Sequence, residues 1–309
     1  MIKVENLVKR YGSIVALDHL NLEIDEGEIF GLLGPNGSGK TTAISCMLAL
    51  LKYDKGSIKI FGEQIKPDSY NIKRRIGIVP QNIAVFDELS VYENIDYFCG
   101  LYIKNKTEKK KLVSDAIEFV GLENYTKRKP GQLSGGLLRR LNIACGIVHK
   151  PELIIMDEPT VAVDPQSRNK ILEGIEELNR GGSTIIYTSH YMEEVEQICT
   201  KVAIIDGGRC IASGTNEELK SMIKTGETIT VENIFINSEQ LTGIKNIQHV
   251  FDVVYKDNIL IIRCSSAKHN LVKIMNYMQE HDISFGRVFS ERPTLNDVFL
   301  EITGKQLRD

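Results

Sequence analysis

The segment GPNGSGKT, from Gly34 to Thr41, has residue types and a spacing that could do chemistry on phosphates, because it fits the pattern GxxxxGK[ST]. Its glycines let the backbone fold tightly around phosphate oxygens, while N–H groups and the start of the following helix supply positive partial charge. We expect Lys40 to reach the β and γ phosphates of a nucleotide and Thr41 to offer its hydroxyl to Mg²⁺.

A second candidate is ELIIMDE, where an apolar run ends in the adjacent carboxylates Asp157 and Glu158. We expect Asp157 to hold Mg²⁺ through its water shell, as in the phosphate-binding loop class generally. The chain turns at the strand end, so Glu158 is predicted to face the γ phosphate and orient a water molecule. The alternative for Glu158 is an acid at a helix start that pairs with a cation.

Short apolar runs that alternate with amphipathic stretches predict an α/β domain with a largely parallel sheet. In open α/β sheets, ligands bind beyond the carboxyl ends of the strands. Those ends carry the glycine-rich segment, Gln81, the two carboxylates and His190, so we predict one site that collects them. The predicted buried strands are residues 28–33, 75–80, 152–157 and 183–189.

The rest of the chain predicts a helical insert at about 86–150 and a small α+β domain at 225–309, after a first domain at 1–224. Within the insert, KNKTEKKK (104–111) is interpreted as a solvated helix face. In the second domain, KDN is predicted to join two strands as a hairpin turn. The spacing of Leu271, Ile274, Met275 and Met278 indicates a core-facing helix, and Thr294 or Asn296 is expected to cap the closing helix.

Composition argues against several classes of protein. Lys plus Arg total 38 and Asp plus Glu total 41, so no overall basic field favours nucleic acid or anionic lipid. The six cysteines form no CxxC pair, which disfavours a zinc site or a disulfide framework and fits a reducing cytosol. The first residues do not form the apolar region of a signal peptide. The most apolar stretch, 29–51, is interrupted by GPNGSGK, so no membrane helix is predicted.

A third motif, QLSGGLLRRL at 132–141, resembles the signature sequence of the ATP-binding cassette (ABC) family, usually LSGGQ. The resemblance covers about Met1 to Ile223 and includes all the motifs in the family's order. It implies a P-loop NTPase fold of the ABC type with a helical insert. It also implies that Tyr11 stacks on adenine, that Gln81 senses the γ phosphate and metal, and that His190 contacts the γ phosphate.

The residues that the resemblance assigns to the site fall into three sets. The ATP-binding set is Tyr11, Gly34, Pro35, Asn36, Gly37, Ser38, Gly39, Lys40, Thr41, Thr42 and Gln81. The catalytic set is Glu158, His190 and Lys40. The set expected to hold the cofactor Mg²⁺ is Thr41, Gln81 and Asp157.

The signature itself has the chemistry to hold a phosphate, because a serine N-cap and two glycines begin a helix. The resemblance implies that this helix start faces the ATP of a second subunit in a head-to-tail homodimer or heterodimer, with Asp164 in a dimer-coupling loop. Leu137 replaces the usual glutamine, which removes a polar contact of about 0.5–1.5 kcal/mol, and Ala162 and Val163 replace the commoner Gly-Leu. The residues expected at the partner's ATP are Ser134, Gly135, Gly136 and Leu137.

The closing PTLNDVFLEITG, together with TSHYMEEVE and ICTKVAIIDGGRCIASGT, resembles drug-resistance and antibiotic-export ATPase subunits. The resemblance implies an ATP-hydrolysing subunit that powers export through a separate membrane permease, on the cytoplasmic face of the membrane and without nucleic acid. One alternative is a soluble regulatory or mechanical ABC ATPase without a permease. Another is a module that holds ATP without cleaving it. The transported molecule stays open among drugs, lipids, peptides and toxins.

Overall fold

A computed structural model describes residues 1–265, 267 and 269–304, and it divides the chain into two compact units between Thr215 and Asn216. The strands of the first unit are β1 (Ile2–Tyr11), β2 (Ile14–Ile24), β3 (Ile29–Leu33), β4 (Lys55–Ile60), β5 (Glu63–Gln64), β6 (Ile76–Val79), β7 (Leu153–Asp157), β8 (Thr184–Ser189), β9 (Lys201–Asp206) and β10 (Arg209–Gly214). Its helices are α1 (Lys40–Met47), α2 (Tyr70–Lys73), α3 (Val91–Gly100), α4 (Lys106–Phe119), α5 (Gly135–Ile147), α6 (Pro165–Arg180) and α7 (Met192–Ile198).

The central sheet has the strand order β10-β9-β3-β8-β7-β6, and β9, β3, β8, β7 and β6 run parallel. All residues of β3, β7 and β8 are buried, which is typical of parallel strands covered on both faces. The four predicted strands are therefore confirmed as β3, β6, β7 and β8, each within one residue of the predicted bounds. Because they are parallel, their carboxyl ends lie along one edge.

A second sheet of the first unit, β2-β1-β4-β5, is antiparallel and shares a hydrophobic core with the central sheet. Fully buried side chains from both sheets, such as Leu7, Leu20 and Phe30, lie in this core with Met47 of α1. The core fixes α1 between the two sheets and so fixes the loop that precedes it.

The described residues between β6 and β7 contain the helices α3, α4 and α5 and no strand, which confirms the helical insert. Their starts follow local signals, because Ser90, Asn105 and Ser134 each accept a backbone hydrogen bond as N-caps. In the segment 104–111 all side chains are exposed except that of Lys109, which is half-buried and pairs with Asp96 at 2.7 Å.

The elements of the second unit are α8 (Asn216–Ser221), β11 (Thr225–Glu232), α9 (Ser238–Lys245), β12 (Val250–Lys256), β13 (Ile259–Ser265), α10 (Asn270–Glu280), β14 (Val288–Glu291) and α11 (Leu295–Thr303). Between α8 and α11 the order is β-α-β-β-α-β, and the strands form the antiparallel sheet β12-β13-β11-β14. Asp257 and Asn258 have φ of 51° and 60°, which confirms the predicted hairpin. Ile274 and Met278 are buried in the core, and Thr294, rather than Asn296, caps the last helix.

Helix α8 packs against α11 and so joins the second unit, whereas the predicted division lies after α8. The assignment of distinct functions to 1–224 and 225–309 stays a prediction. Across the ranges that the structure describes, none of the helices has both the length and the hydrophobicity to cross a bilayer.

Candidate active site

The glycine-rich segment forms the loop between β3 and α1, as its pattern predicts. A Cβ on Gly34 would lie 2.2 Å from the carbonyl oxygen of Ile205, so no other residue fits there. Gly39 has φ of 108°, and its Cβ would lie 2.7 Å from the carbonyl oxygen of Ala16. The loop is therefore held tightly against its neighbours. Within it, the Ser38 hydroxyl is buried and has no hydrogen-bond partner among the described residues.

Lys40 begins α1 and folds back over the loop. Its Nζ donates hydrogen bonds to the carbonyl oxygens of Gly34 and Pro35, at 2.6 and 3.2 Å. Burial lowers the pKa of Lys40, and the charges of Glu158 and Asp157 oppose that shift. The buried ammonium is thus held against the loop by carbonyl oxygens, within the electric field of two carboxylates.

Asp157 ends β7 and joins the loop to the neighbouring strand. Its Oδ1 accepts a hydrogen bond from Thr188 Oγ1 at 2.6 Å, and its Oδ2 accepts one from Thr41 Oγ1 at 3.3 Å. Thr188 lies opposite Asp157 in the ladder between β7 and β8 and is fully buried. Asp157 and Thr41 therefore present a carboxylate and a hydroxyl side by side, and both are oxygen ligands of the kind Mg²⁺ takes.

Glu158 sits at the turn after β7 with φ of 48°, in the left-handed region. Its backbone N–H donates to Thr188 Oγ1 at 2.9 Å. Its Oε2 accepts a hydrogen bond from Gln81 Nε2 at 2.9 Å, and its Oε1 lies 3.5 Å from Nδ1 of His190. The structure thus brings together the polar side chains that follow β6, β7 and β8, as the strand-end argument predicts.

Thr188, Arg139 and Asn142 support this cluster and were not predicted from the sequence. Arg139 is buried in α5 and donates to the carbonyl oxygen of Gln81 at 2.8 Å, while Asn142 Nδ2 donates to that of Pro80 at 3.1 Å. Burial lowers the pKa of Arg139, and the charge of Glu158 opposes this. The available signal is that Arg139 and Asn142 lie three residues apart, on the same face of a helix whose following residues are apolar.

The signature residues make their contacts in a different region, at the start of α5. Ser134 Oγ accepts a hydrogen bond from the backbone N–H of Leu137 at 3.4 Å, as an N-cap does. A Cβ on Gly136 would lie 2.5 Å from Ser167 Oγ, whereas a Cβ on Gly135 would meet nothing closer than the carbonyl oxygen of Ala162 at 3.8 Å. Gly136 therefore permits close packing on α6, and Gly135 is the glycine that is open to the surface.

Asp164 is the N-cap of α6, and its Oδ1 accepts a hydrogen bond from the backbone N–H of Ser167 at 2.9 Å. This hydrogen bond lowers the pKa of Asp164. Two residues earlier, Ala162 has φ of 58°, a conformation that glycine adopts without strain. The departure from the family's usual glycine thus places a side chain where the backbone disfavours one.

Tyr11 ends β1 beside the turn to β2, and the residue is 49% exposed. Lys9 Nζ lies 5.2 Å from the ring centroid. Its contacts are with the antiparallel sheet rather than with the cluster at the strand ends, and its exposed face is open for stacking.

Comparison with known proteins agrees with this geometry. The sequence profile of the ABC transporter family matches residues 17–161. The chain is 42% identical to the linearmycin resistance ATP-binding protein LnrL of Bacillus subtilis (strain 168), over 100% of both chains. It is 32% identical to the daunorubicin resistance ATP-binding protein DrrA3 of Streptomyces coeruleorubidus, over 99% of this chain and 97% of that protein.

Solved structures give the same result over about 70% of the chain. A structure of the ATP-binding subunit of an ABC transporter superposes with a TM-score of 0.66 at 25% identity, covering 72% of this chain and 92% of that chain. A dimeric bacterial ABC transporter cassette has a TM-score of 0.65 at 28% identity, covering 70% of this chain and 98% of that chain.

The fold and the strand-end site define a P-loop ATPase of the ABC type. The chain belongs to the ABC transporter family and is one of its ATP-binding subunits, which are ATPases. Its relatives include antibiotic-resistance proteins, so the resemblance to that type of subunit is also confirmed.

Proposed function

We propose that this chain hydrolyses ATP to power export through a separate membrane permease, and that it does so as a head-to-tail dimer. The observation that carries the proposal is the convergence of Gln81, Glu158 and His190 beside Lys40, at one edge of the central sheet. Full-length similarity to antibiotic-resistance ATP-binding proteins supports the coupling to export.

In the proposed reaction, a water oxygen attacks the γ phosphorus of ATP, and the bond from that phosphorus to the ADP oxygen breaks. Glu158 orients the water and accepts its proton, while Lys40 and His190 stabilise charge on the γ phosphate. The hydrogen bond from Gln81 holds the Glu158 carboxylate before the substrate arrives. Lys40 exchanges the carbonyl oxygens of Gly34 and Pro35 for phosphate oxygens when ATP binds.

The buried residues of the loop suit a triphosphate with Mg²⁺. The unpartnered Ser38 hydroxyl, the Lys40 ammonium and the loop N–H groups are donors for phosphate oxygens. Thr41 and Asp157 would hold Mg²⁺, with Gln81 beside them, because a hydroxyl, a carboxylate and an amide oxygen are hard ligands. When bound, Mg²⁺ would neutralise negative charge on the phosphate oxygens.

The dimer is proposed because the signature lies away from the strand-end cluster of its own chain. Gly135 is exposed at the start of α5, so its N–H can approach a phosphate of another subunit. Leu137 offers no amide there, which is expected to weaken the contact with the partner's ATP. The partner is a second copy of this chain or another ABC ATPase subunit.

Permease docking is proposed for the surface that follows Gln81 and leads into the helical insert. Phe86 and Tyr97 are 41% and 46% exposed, and their rings meet edge to face with centroids 4.9 Å apart. Phe98 adds a third ring, 5.6 Å from Tyr97. An exposed aromatic cluster of this kind fits an apolar segment of a partner protein. Docking there would hold the chain at the cytoplasmic face of the membrane.

The test compares the wild-type chain with Glu158→Gln, which keeps the side chain's shape and removes the base. Glu193→Gln, an exposed carboxylate of α7, is the matched control. We expect Glu158→Gln to bind ATP, to form a dimer with ATP but not with ADP, and to lose hydrolysis. A mutant that stays monomeric with saturating ATP would contradict the head-to-tail dimer.

Coupling to a permease is tested in two steps: a search for a neighbouring reading frame that encodes several apolar spans, and then an assay with membranes that carry its product. We expect co-sedimentation with those membranes and stimulated hydrolysis, and we expect Phe86→Ser with Tyr97→Ser to reduce both. ATP hydrolysis at the same rate with and without such membranes would favour a soluble regulatory ATPase, the second candidate function.

A further inference from the structure

Outside the strand-end cluster, the first unit holds one strongly connected buried carboxylate, Glu194 of α7. It is 3% exposed, and its Oε2 accepts hydrogen bonds from three hydroxyls. These come from Thr160 at 2.8 Å, Tyr187 at 2.6 Å and Ser189 at 3.0 Å. Burial and the Glu194 charge raise the pKa of Tyr187 well above its usual range, so its hydroxyl stays a donor.

The other oxygen of Glu194 faces a cation. Arg168 Nε lies 3.3 Å from Oε1, at ion-pair distance. In the described part of the chain neither of these two atoms has a hydrogen-bond partner. The contact between them is therefore an electrostatic attraction between opposite charges. Arg168 belongs to the first turn of α6, where its backbone N–H donates a hydrogen bond to the carbonyl oxygen of Asp164 at 2.9 Å.

Two series of contacts lead from Glu194 to His190 and the residues beside it. The Arg168 guanidinium lies 4.8 Å from the ring centroid of Tyr191, and that ring lies 4.1 Å from the ring of His190. On the other side, Ser189 Oγ accepts a hydrogen bond from the Tyr191 backbone N–H at 2.9 Å while it donates to Glu194. The residues on either side of His190 are therefore fixed by one carboxylate, through an ion pair and through a hydroxyl.

We propose that Glu194 is a positioning residue of ATP hydrolysis, which sets the place of the His190 ring through Arg168 and Tyr191. Its hydrogen bond to Thr160 holds the loop that follows Glu158, so the same carboxylate aligns both sides of the reacting phosphate. The proposal rests on the proposed roles of Glu158 and His190. It assigns Glu194 no contact with substrate.

The test uses Glu194→Gln, which keeps the shape and an acceptor oxygen but removes the charge that attracts Arg168. Glu193→Gln, the exposed neighbour, is the matched control. Because a displacement of about 1 Å can cost about 100-fold in rate, we expect kcat to fall between about 10-fold and 100-fold. The KM for ATP should stay within about twofold, since the loop that binds the phosphates is untouched.

A second readout follows the ring of His190 without catalysis. The chain has six histidines, so the Cε1–H resonance of His190 can be assigned by its loss in His190→Ala. We expect Glu194→Gln to move this resonance, because the neighbouring Tyr191 ring shifts with Arg168. Tyr191→Leu, which leaves the buried hydroxyl network intact, should lower kcat similarly, and it decides the matter if Glu194→Gln fails to fold.

A fall in kcat without movement of the His190 resonance would overturn the proposal, as would unchanged values of both. Failure of the proposed function has a different pattern. In that case the wild-type chain would show no hydrolysis that depends on Glu158, while the resonance in Glu194→Gln would still report whether the carboxylate positions the ring.

Discussion

Replacement of Thr188 by Val removes one buried hydroxyl and keeps the shape of the side chain. That hydroxyl donates to Asp157 Oδ1 at 2.6 Å and accepts from the N–H of Glu158 at 2.9 Å. It is the one atom in the described site that bonds both carboxylate residues at the end of β7. The change therefore tests how much of the site's geometry is held from the neighbouring strand.

The two lost hydrogen bonds differ in cost. The Glu158 N–H keeps a second acceptor, the carbonyl oxygen of Thr188 at 3.2 Å, so little is lost there. Asp157 loses a hydrogen bond to a charged group, which is worth about 1.5–3 kcal/mol. Its remaining bond, from Thr41, is the longer one at 3.3 Å. We expect Thr188→Val to destabilise the first unit by about 2 kcal/mol.

For a domain of this size, about 2 kcal/mol corresponds to a fall in Tm of about 4–8 °C. Calorimetry should resolve the unfolding transition of the first unit. ATP identifies this transition, because a ligand that binds the folded state raises its Tm. Thr188→Ser, which keeps the hydroxyl, is the control and should lose less than half as much. We also expect kcat to fall about tenfold for Val, since Asp157 and Glu158 become less well placed. A Tm within about 1 °C of wild type, with unchanged kcat, would show that the Thr188 hydroxyl does not hold Asp157 and Glu158 in place.

Further predictions concern backbone strain at Ala162, close packing at Gly136 and burial at His149. Ala162→Gly should raise the free energy of unfolding by about 1 kcal/mol, read as a higher Tm, because Ala162 has φ of 58°. Gly136→Ala should lower Tm more than Gly135→Ala, because only the former places a Cβ 2.5 Å from Ser167 Oγ; equal values would contradict this. Burial lowers the pKa of His149 from 6.5 to about 4, so the unfolded chain gains a proton first as pH falls, and stability should drop between pH 6.5 and pH 4. His149→Phe should flatten that pH dependence of Tm.

The strands and the order of the site residues could be predicted from sequence because their signals are local. Each buried strand is a short apolar run that ends in a polar residue, and parallel pairing then places those ends on one edge. Helix starts such as that at Ser134 are likewise determined by a few adjacent residues, because an N-cap bonds the backbone only two or three positions ahead.

Contacts between residues distant in sequence were beyond the same reasoning. Thr188 is one hydroxyl in an apolar run, and nothing near it indicates that its partner is Asp157. The sequence predicts that the backbone of Gly136 faces a phosphate, yet the space beside its Cα is taken by the side chain of Ser167. Of the adjacent Glu193 and Glu194, only the second is buried, which depends on how α7 packs rather than on residue type.

We propose that Glu158 activates water for ATP hydrolysis at the strand-end cluster, and the proposed export depends on this role. The most direct test measures steady-state Mg-ATP hydrolysis and ATP binding for the wild type and Glu158→Gln, purified in parallel. We predict hydrolysis by the wild type, binding by both proteins, and turnover by the mutant reduced at least about 100-fold, the scale of a lost general base. Hydrolysis by Glu158→Gln near the wild-type rate would contradict the claim.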